Sequence, residues 1–365
     1  MSDQPQATDT PWRRSTADVH ERLSAWVRAT FGADAAIATV ATPDNGMSSE
    51  TMLFSVDDAG TRHELVARLA PMDEAYPVFP TYDLALQAQC MRLVGQHTTA
   101  PVPEVVAHET DPSYLGSEFI VMRRVSGIAP SDNPPYVFGG WLLDASPEQR
   151  GALQRASVEV LAKVHAITPS THDLAYLAMP EQGASAMDQQ LGYQRWYYDW
   201  ARDGVDYPII ERTFAYLEAN RPSGERTVLN WGDSRIGNML WKDFAPVAVL
   251  DWEMAAIGAP GVDISWMIFL HRFFQSMAER YGMPGLPGFM RREDVARQYE
   301  ELSGHPATDL EYYEVFAALR FAIVSLRTSV RAIAYGDMPQ PEDPEDLVMH
   351  RDLMEKMLDG SYWSS

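Results

Sequence analysis

The sequence predicts an α+β chain of two lobes: a small β-rich N-terminal lobe over residues 1–125 and a larger helical C-terminal lobe over 126–365. Three observations carry this expectation. Between residues 35 and 125, apolar runs of strand length are punctuated by Gly, Asp, Asn and Pro turns. From Ser146 onward the apolar spacing takes a helical period. The stretch 126–146, rich in Pro and Gly, separates the two textures and reads as a linker. At 365 residues, 46% hydrophobic and 22% charged, the chain has the length for about two domains and an ordinary globular composition.

The elements follow in order. The polar start through Arg14 reads as loose, and a helix begins near Ser15, where Asp18 completes a capping pattern. Val19, Leu23, Trp26, Val27 and Phe31 share one face of it. Strands are predicted over 36–41, 51–56 and 63–69, the last two joined by the turn at 57–60. A helix covers 82–96. Two more strands, 102–107 and 118–125, flank a turn at Asp111-Pro112. The economical assembly is an antiparallel sheet of about five strands with one interposed helix. In the second lobe Ser146 caps a helix with Pro147 in its first position, and the periodicity runs to Ile167. Further helices are expected over 188–202 and 207–220, then a short β insertion at 227–252, then helices to the end. A cleft between two such lobes is where ligand sites often lie.

Charge narrows the function classes. Fifty-one acidic against 29 basic residues give a net charge of −22, which argues against nucleic-acid and membrane partners. The acidity would suit a cationic ligand, and it also simply keeps a protein soluble. The lone Cys90 rules out a disulfide within the chain and a cysteine zinc site. The first sixteen residues lack the apolar stretch of a signal peptide, and the most apolar segment, 264–270, is short of a membrane span and closed by His271 and Arg272. A soluble cytoplasmic protein is expected; nothing in the sequence fixes its oligomeric state. Only Lys163, Lys242 and Lys356 are lysines, so any phosphate-gripping cation in the first 162 residues is arginine.

The chemistry concentrates in the β insertion. Two buried-type runs flank the polar loop Gly232-Asp233-Ser234-Arg235-Ile236-Gly237-Asn238, and a second carboxylate, Asp251, ends the next strand. Phosphoryl transfer to a hydroxyl needs one carboxylate to accept the proton, plus a carbonyl-type side chain and a second carboxylate to hold magnesium against the phosphates. Asp five residues before Asn is the spacing of the protein-kinase catalytic loop. The same residues are ordinary turn formers, and the spacing alone does not decide between the two. Asp251, following by the length of a hairpin, favours the chemical reading.

Gly232-Asp233 through Asn238, Leu250-Asp251-Trp252-Glu253 and Gly258-Ala259-Pro260-Gly261-Val262-Asp263 resemble the aminoglycoside phosphotransferase-like family, in particular its bacterial branch of phosphotransferases without an assigned substrate. The resemblance runs from about Val40 to Ser265. It implies a protein-kinase-like two-lobed fold, ATP as donor, magnesium as cofactor and a small-molecule hydroxyl as acceptor, aminoglycoside-like or otherwise. By motif position it makes Asp233 the catalytic base, Asn238 and Asp251 the metal ligands, and Asp263 a brace for the loop. The turn Gly46, Ser48, Ser49, Thr51 falls at the family's nucleotide loop. Met122, Arg123 and Val125 fall at the lobe connection, whose backbone takes the adenine.

Three departures stand out. Trp231 replaces the usual histidine before Gly-Asp, Arg68 replaces the usual phosphate lysine, and Gln87 replaces the glutamate that pairs with it. Arg68 is otherwise a surface strand residue. Arg235 is placed either to stabilise the transferring phosphoryl or to form a salt bridge across the cleft. The aromatic run Tyr193, Trp196, Tyr197 and Trp200 is core by spacing, with an acceptor-pocket wall as the other reading. His165 reads as structural. Because of the three departures, the alternative to a kinase is a nucleotide-binding pseudokinase used as sensor or scaffold.

Overall fold

A computed structural model of the chain describes residues 16–41, 49–71, 76–224 and 226–364. It divides into two compact units, and the division is not contiguous in sequence. The first holds the described residues up to Ala88, then 104–124 and 327–339; the second holds 89–103, 125–326 and 340 onward.

In the first unit, helix α1 (Thr16–Phe31) precedes strands β1 (Ala36–Ala41), β2 (Glu50–Asp58) and β3 (Thr61–Leu69). The start of helix α2 (Leu84–His97), whose residues up to Ala88 belong to this unit, then β4 (Val105–Glu109), the single turn α3 (Pro112–Leu115) and β5 (Phe119–Arg123) follow. The strands form one antiparallel sheet in the order β1-β2-β3-β5-β4. The helical face read from sequence is the face that packs: Val19, Leu23, Trp26 and Val27 are buried against Phe54, Val56, Leu65, Phe119 and Val121. Trp26 meets Phe54 and Phe119 edge-on at 6.4 and 5.6 Å, and its indole N–H is satisfied by Glu109 at 3.2 Å. Strand β4 starts three residues later than the sequence suggested, because Pro101 and Pro103 have no N–H to give a ladder. The turn at Asp111-Pro112 tightens into α3, capped by the Asp111 carboxylate and closed by Gly116 in the left-handed region.

In the second unit the capping grammar is obeyed closely. After the short α4 (Trp141–Asp144), helix α5 (Pro147–Val164) opens on a capping box between Ser146 and Gln149. Helix α6 (Ala186–Ala201) opens on another, between Ser185 and Asp188, and α7 (Pro208–Ala219) starts on proline. The β insertion resolves into two pairs. Strand β6 (Val228–Asn230) pairs with β9 (Ala256–Gly258), while β7 (Met239–Lys242) and β8 (Ala245–Val249) form a hairpin. Asp243 and Phe244 turn that hairpin with φ of 50° and 61°. Helices α8 (Pro260–Arg280), α9 (Arg292–Ser303), α10 (Leu310–Ala334), of which residues up to Leu326 belong to this unit, and α11 (Arg351–Asp359) complete the chain. The stretch 126–146 is not a free linker: Ile128 and Trp241 exchange backbone hydrogen bonds of 3.0 and 2.8 Å, tying it to β7.

Candidate active site

The loop between β6 and β7 is built around Asp263, fully buried in the first turn of α8. Its carboxylate accepts the backbone N–H of Trp231 at 2.7 Å and of Gly232 at 2.8 Å, and the His165 Nε2–H at 3.0 Å. Tyr299 holds the other nitrogen of His165 at 2.9 Å, and the Ser234 hydroxyl donates to the Asp263 carbonyl at 2.8 Å. The loop's backbone thus hangs on one buried anion whose lone pairs are occupied, the condition under which such a charge is tolerated. Gly232 has a φ of 95°, and a Cβ there would stand 2.0 Å from the Met254 carbonyl oxygen, so only glycine fits.

Asp233 emerges from this frame with a nearly buried carboxylate, 13% exposed. One oxygen accepts the Trp266 indole N–H at 2.7 Å; the other accepts the Asn238 amide at 2.6 Å and the Arg235 Nε–H at 3.2 Å. Asn238 also donates to the Asp233 carbonyl at 3.1 Å. Both of its amide bonds point at Asp233, which leaves its carbonyl oxygen Oδ1 as the lone-pair group. The amide N–H of Leu250 donates to the Asn238 backbone carbonyl at 2.8 Å, so the residue before Asp251 is stitched to Asn238. Asp251 itself is left-handed, with a φ of 60°. The Trp231 indole N–H reaches its carbonyl at 3.1 Å and that of Leu250 at 2.8 Å.

Arg235 is gripped twice, by Asp233 and by the Asp132 carboxylate. Burial pulls its pKa down, but Asp233, Asp132 and Asp251 more than offset that and raise it, so it is a permanent cation. A second cation, Arg320 on α10, lies beneath the loop. It donates to the Gly232 carbonyl at 3.0 Å and stacks 4.5 Å over the ring of Trp266. Burial lowers its pKa to about 10, against the upward pull of Asp263 and Asp233.

The structure therefore brings Asp233, Arg235 and Asn238 into direct contact and sets Asp251 within electrostatic reach of Arg235. Amide and carboxylate oxygens are the hard donors that magnesium prefers. Among the described residues no group of three or more His, Cys, Asp or Glu could hold a metal. A magnesium ion at Asn238 and Asp251 would complete its shell with water and phosphate oxygens, as this ion usually does.

In the first unit, register places Thr51 opposite Arg68, and Ile120 lies on the other side of Arg68. Arg68 is half-buried rather than a surface strand residue. Ser49 precedes β2, while Gly46 and Ser48 lie outside the described residues. Met122 is buried on β5, where Arg123 bonds His63 at 2.8 Å, and Val125 follows the strand. Gln87 is buried in α2. Of the aromatic run, Tyr197 is core as spacing implies, but Trp196 and Trp200 are 40% and 36% exposed.

Sequence reasoning missed Asp132, Trp266 and Arg320. Arg320 carried a signal, being one charge inside the apolar run 315–324, where an unpaired arginine is rarely tolerated. Asp132, in a Pro-rich stretch, carried none.

Residues 39–291 match the phosphotransferase enzyme family, and the chain belongs to it. Among solved structures it is similar to a Ralstonia eutropha protein classed with the aminoglycoside phosphotransferases, with 21% identity and a TM-score of 0.63, covering 94% of this chain and 98% of that one. It is also similar to the aminoglycoside phosphotransferase APH(4)-Ia in ternary complex with ADP and hygromycin B, with 18% identity, a TM-score of 0.55 and coverage of 92% and 98%. These likenesses establish the protein-kinase-like fold. Among curated sequences it is 23% identical over 299 residues to an Arabidopsis thaliana protein named "Probable acyl-CoA dehydrogenase IBR3", covering 77% of this chain and 35% of that one. The chain spans about a third or less of the length of the curated relatives it matches.

Proposed function

We propose that this phosphotransferase moves the γ-phosphoryl group of ATP to a hydroxyl of a small molecule, with magnesium as cofactor. The observation that carries the reading is the oriented carboxylate of Asp233, locked by Trp266 and Asn238 in a loop braced on Asp263. In this reading the acceptor hydroxyl gives its proton to Asp233 while its oxygen bonds the γ-phosphorus. The bond from that phosphorus to the bridging oxygen breaks, and ADP leaves. Arg235 stabilises charge on the phosphoryl group in transit. Asn238 and Asp251 would hold the magnesium, which neutralises phosphate charge when bound. Residues 1–125 would supply the nucleotide contacts: the turn Gly46, Ser48, Ser49 and Thr51 with Arg68 for the phosphates, and the backbone of Met122, Arg123 and Val125 for the adenine.

Two acceptor classes are suggested by the company this chain keeps: cationic aminoglycoside-type alcohols, from the structural neighbours, and acyl-CoA compounds, from the name of the sequence relatives. No described helix is long and apolar enough to cross a membrane, and the net charge of −22 disfavours a nucleic-acid partner.

The test is phosphate transfer from ATP to a panel of both classes, read by product mass. Asp233→Asn keeps the shape and removes the basic lone pair. Its turnover falls by about two to four orders of magnitude, with folding and nucleotide affinity retained. Near-wild-type transfer by this variant removes Asp233 as base and, with it, the reading.

A further inference from the structure

The segment between Val125 and α4 carries a residue that completes the site. Its path is fixed at both ends. Ile128 is bridged to Trp241, and a Cβ on Gly127 would come within 2.9 Å of Leu240 and Val247. The Tyr136 N–H closes a turn onto the Ser131 carbonyl at 2.8 Å, and the buried Tyr136 hydroxyl bonds His271 of α8 at 2.8 Å. Between these anchors the Asp132 carboxylate meets the Arg235 guanidinium. Its second oxygen is buried without a hydrogen-bond partner, beside a cavity of about 10 Å³ that it shares with Tyr136, Met267 and His271. Arg235 is thus the one cation that Asp132 serves among the described residues.

The catalytic loop makes room for this pair. A Cβ on Gly237 would lie 2.6 Å from Arg235 Nη1 and 2.9 Å from Asp132 Oδ1. The backbone at Gly237 does not have the positive φ that would itself demand glycine. What the missing side chain leaves open is the space the ion pair occupies.

We infer that Asp132 is the positioning residue for Arg235, and that Gly237 is the clearance that lets it reach. The catalytic consequence rests on the phosphotransferase reading above. Arg235 has two carboxylates to choose from, and its Nε already bonds Asp233 at 3.2 Å. With Asp132 gone, the guanidinium closes onto Asp233 as a fork, the arrangement arginine prefers with a carboxylate. That removes the cation from the path of the phosphoryl group and occupies the oxygen that must accept the proton. Asp132 pulls the other way and keeps the guanidinium between the two.

Two measurements test this. The first is the Nε–H resonance of Arg235 in protein labelled with 15N-arginine, which reports the ion pair without turnover. It shifts and broadens in Asp132→Ala and Gly237→Ala; an unchanged resonance in Asp132→Ala overturns the inference. The second is magnesium-dependent formation of ADP from ATP, alone and with an accepted alcohol. Asp132→Ala lowers kcat about 10- to 100-fold, the scale of misplacing one group by about an ångström, with KM for ATP unchanged. In an Arg235→Ala background, Asp132→Ala has no further effect, because it acts only through Arg235. Equal losses in both backgrounds overturn the inference. Asp132→Asn, with its shape retained, gives the kinetic answer if the alanine variant folds poorly. If wild type and Asp233→Asn form ADP equally, the phosphotransferase reading fails, and the resonance alone decides whether Asp132 positions Arg235.

Discussion

Trp231 occupies the position where the resemblance led one to expect histidine, and its indole supplies one N–H at that place. That N–H bonds the carbonyls of Leu250 and Asp251, 2.8 and 3.1 Å away, and so holds the left-handed residue whose carboxylate is proposed to meet magnesium. A non-glycine residue in that region costs of order 1–3 kcal/mol and persists only where its surroundings over-determine it. Trp231→Phe retains a buried ring and removes the donor. The magnesium-dependent part of ADP affinity therefore falls several-fold, while affinity without magnesium stays the same. Trp231→His, which keeps a ring N–H, retains more of it. Calorimetric titration of ADP with and without magnesium checks this, and equal magnesium dependence in wild type and Trp231→Phe denies the indole that role. The departure itself was legible in the sequence. Its consequence was not, because the partners lie 19 and 20 residues away across a hairpin. Asp132 was less legible still, 103 residues from the side chain it meets.

Elements were readable to the extent that they carry local grammar. Ser146-Pro147 announces α5 because a hydroxyl cap and a first-turn proline satisfy the orphaned N–H groups of a helix start. Strands β2 and β3 were readable because nine residues each are long enough to show a pattern. The pairing of β6 with β9 was not, since three residues are too few for alternation to show. Yet that pair, with the first turn of α8, sets the loop that carries Asp233. Asp263 is the joint: it accepts from Trp231, Gly232 and His165 at once. Asp263→Ala leaves those donors buried without an acceptor and costs about 3–5 kcal/mol, the usual penalty for breaking a buried charged network. Urea unfolding measures it, and a loss below about 1 kcal/mol, the centre of the range for ordinary point mutants, means the loop is held by something else.

At the scale of the helical unit, two buried histidines act as joints that function only while neutral. His271 donates Nε2–H to the Leu286 carbonyl at 3.1 Å, so its other nitrogen accepts from Tyr136; the charge of Arg272 lies nearby. His350 donates to the Ala318 carbonyl at 2.8 Å among the rings of Phe269 and Phe321, and the charge of Asp352 acts on it weakly against the effect of burial. Burial drives each pKa from 6.5 down to about 4. In the unfolded chain both titrate near 6.5, so below that pH the unfolded state binds protons that the folded state refuses. The folded state is therefore fully favoured above pH 6.5 and loses stability as pH falls toward 4, by at most about 1.4 kcal/mol per pH unit for each histidine. The net charge of −22 works in the opposite direction, because protonating carboxylates relieves repulsion, but most of that relief comes near pH 4 and below. Between pH 6.5 and 5 the histidines dominate. Urea unfolding across that window shows a falling midpoint in wild type. His271→Gln with His350→Gln, which keeps a donor for each carbonyl and cannot titrate, flattens the fall. If the double variant loses stability as steeply as wild type, the acid sensitivity of this unit lies elsewhere.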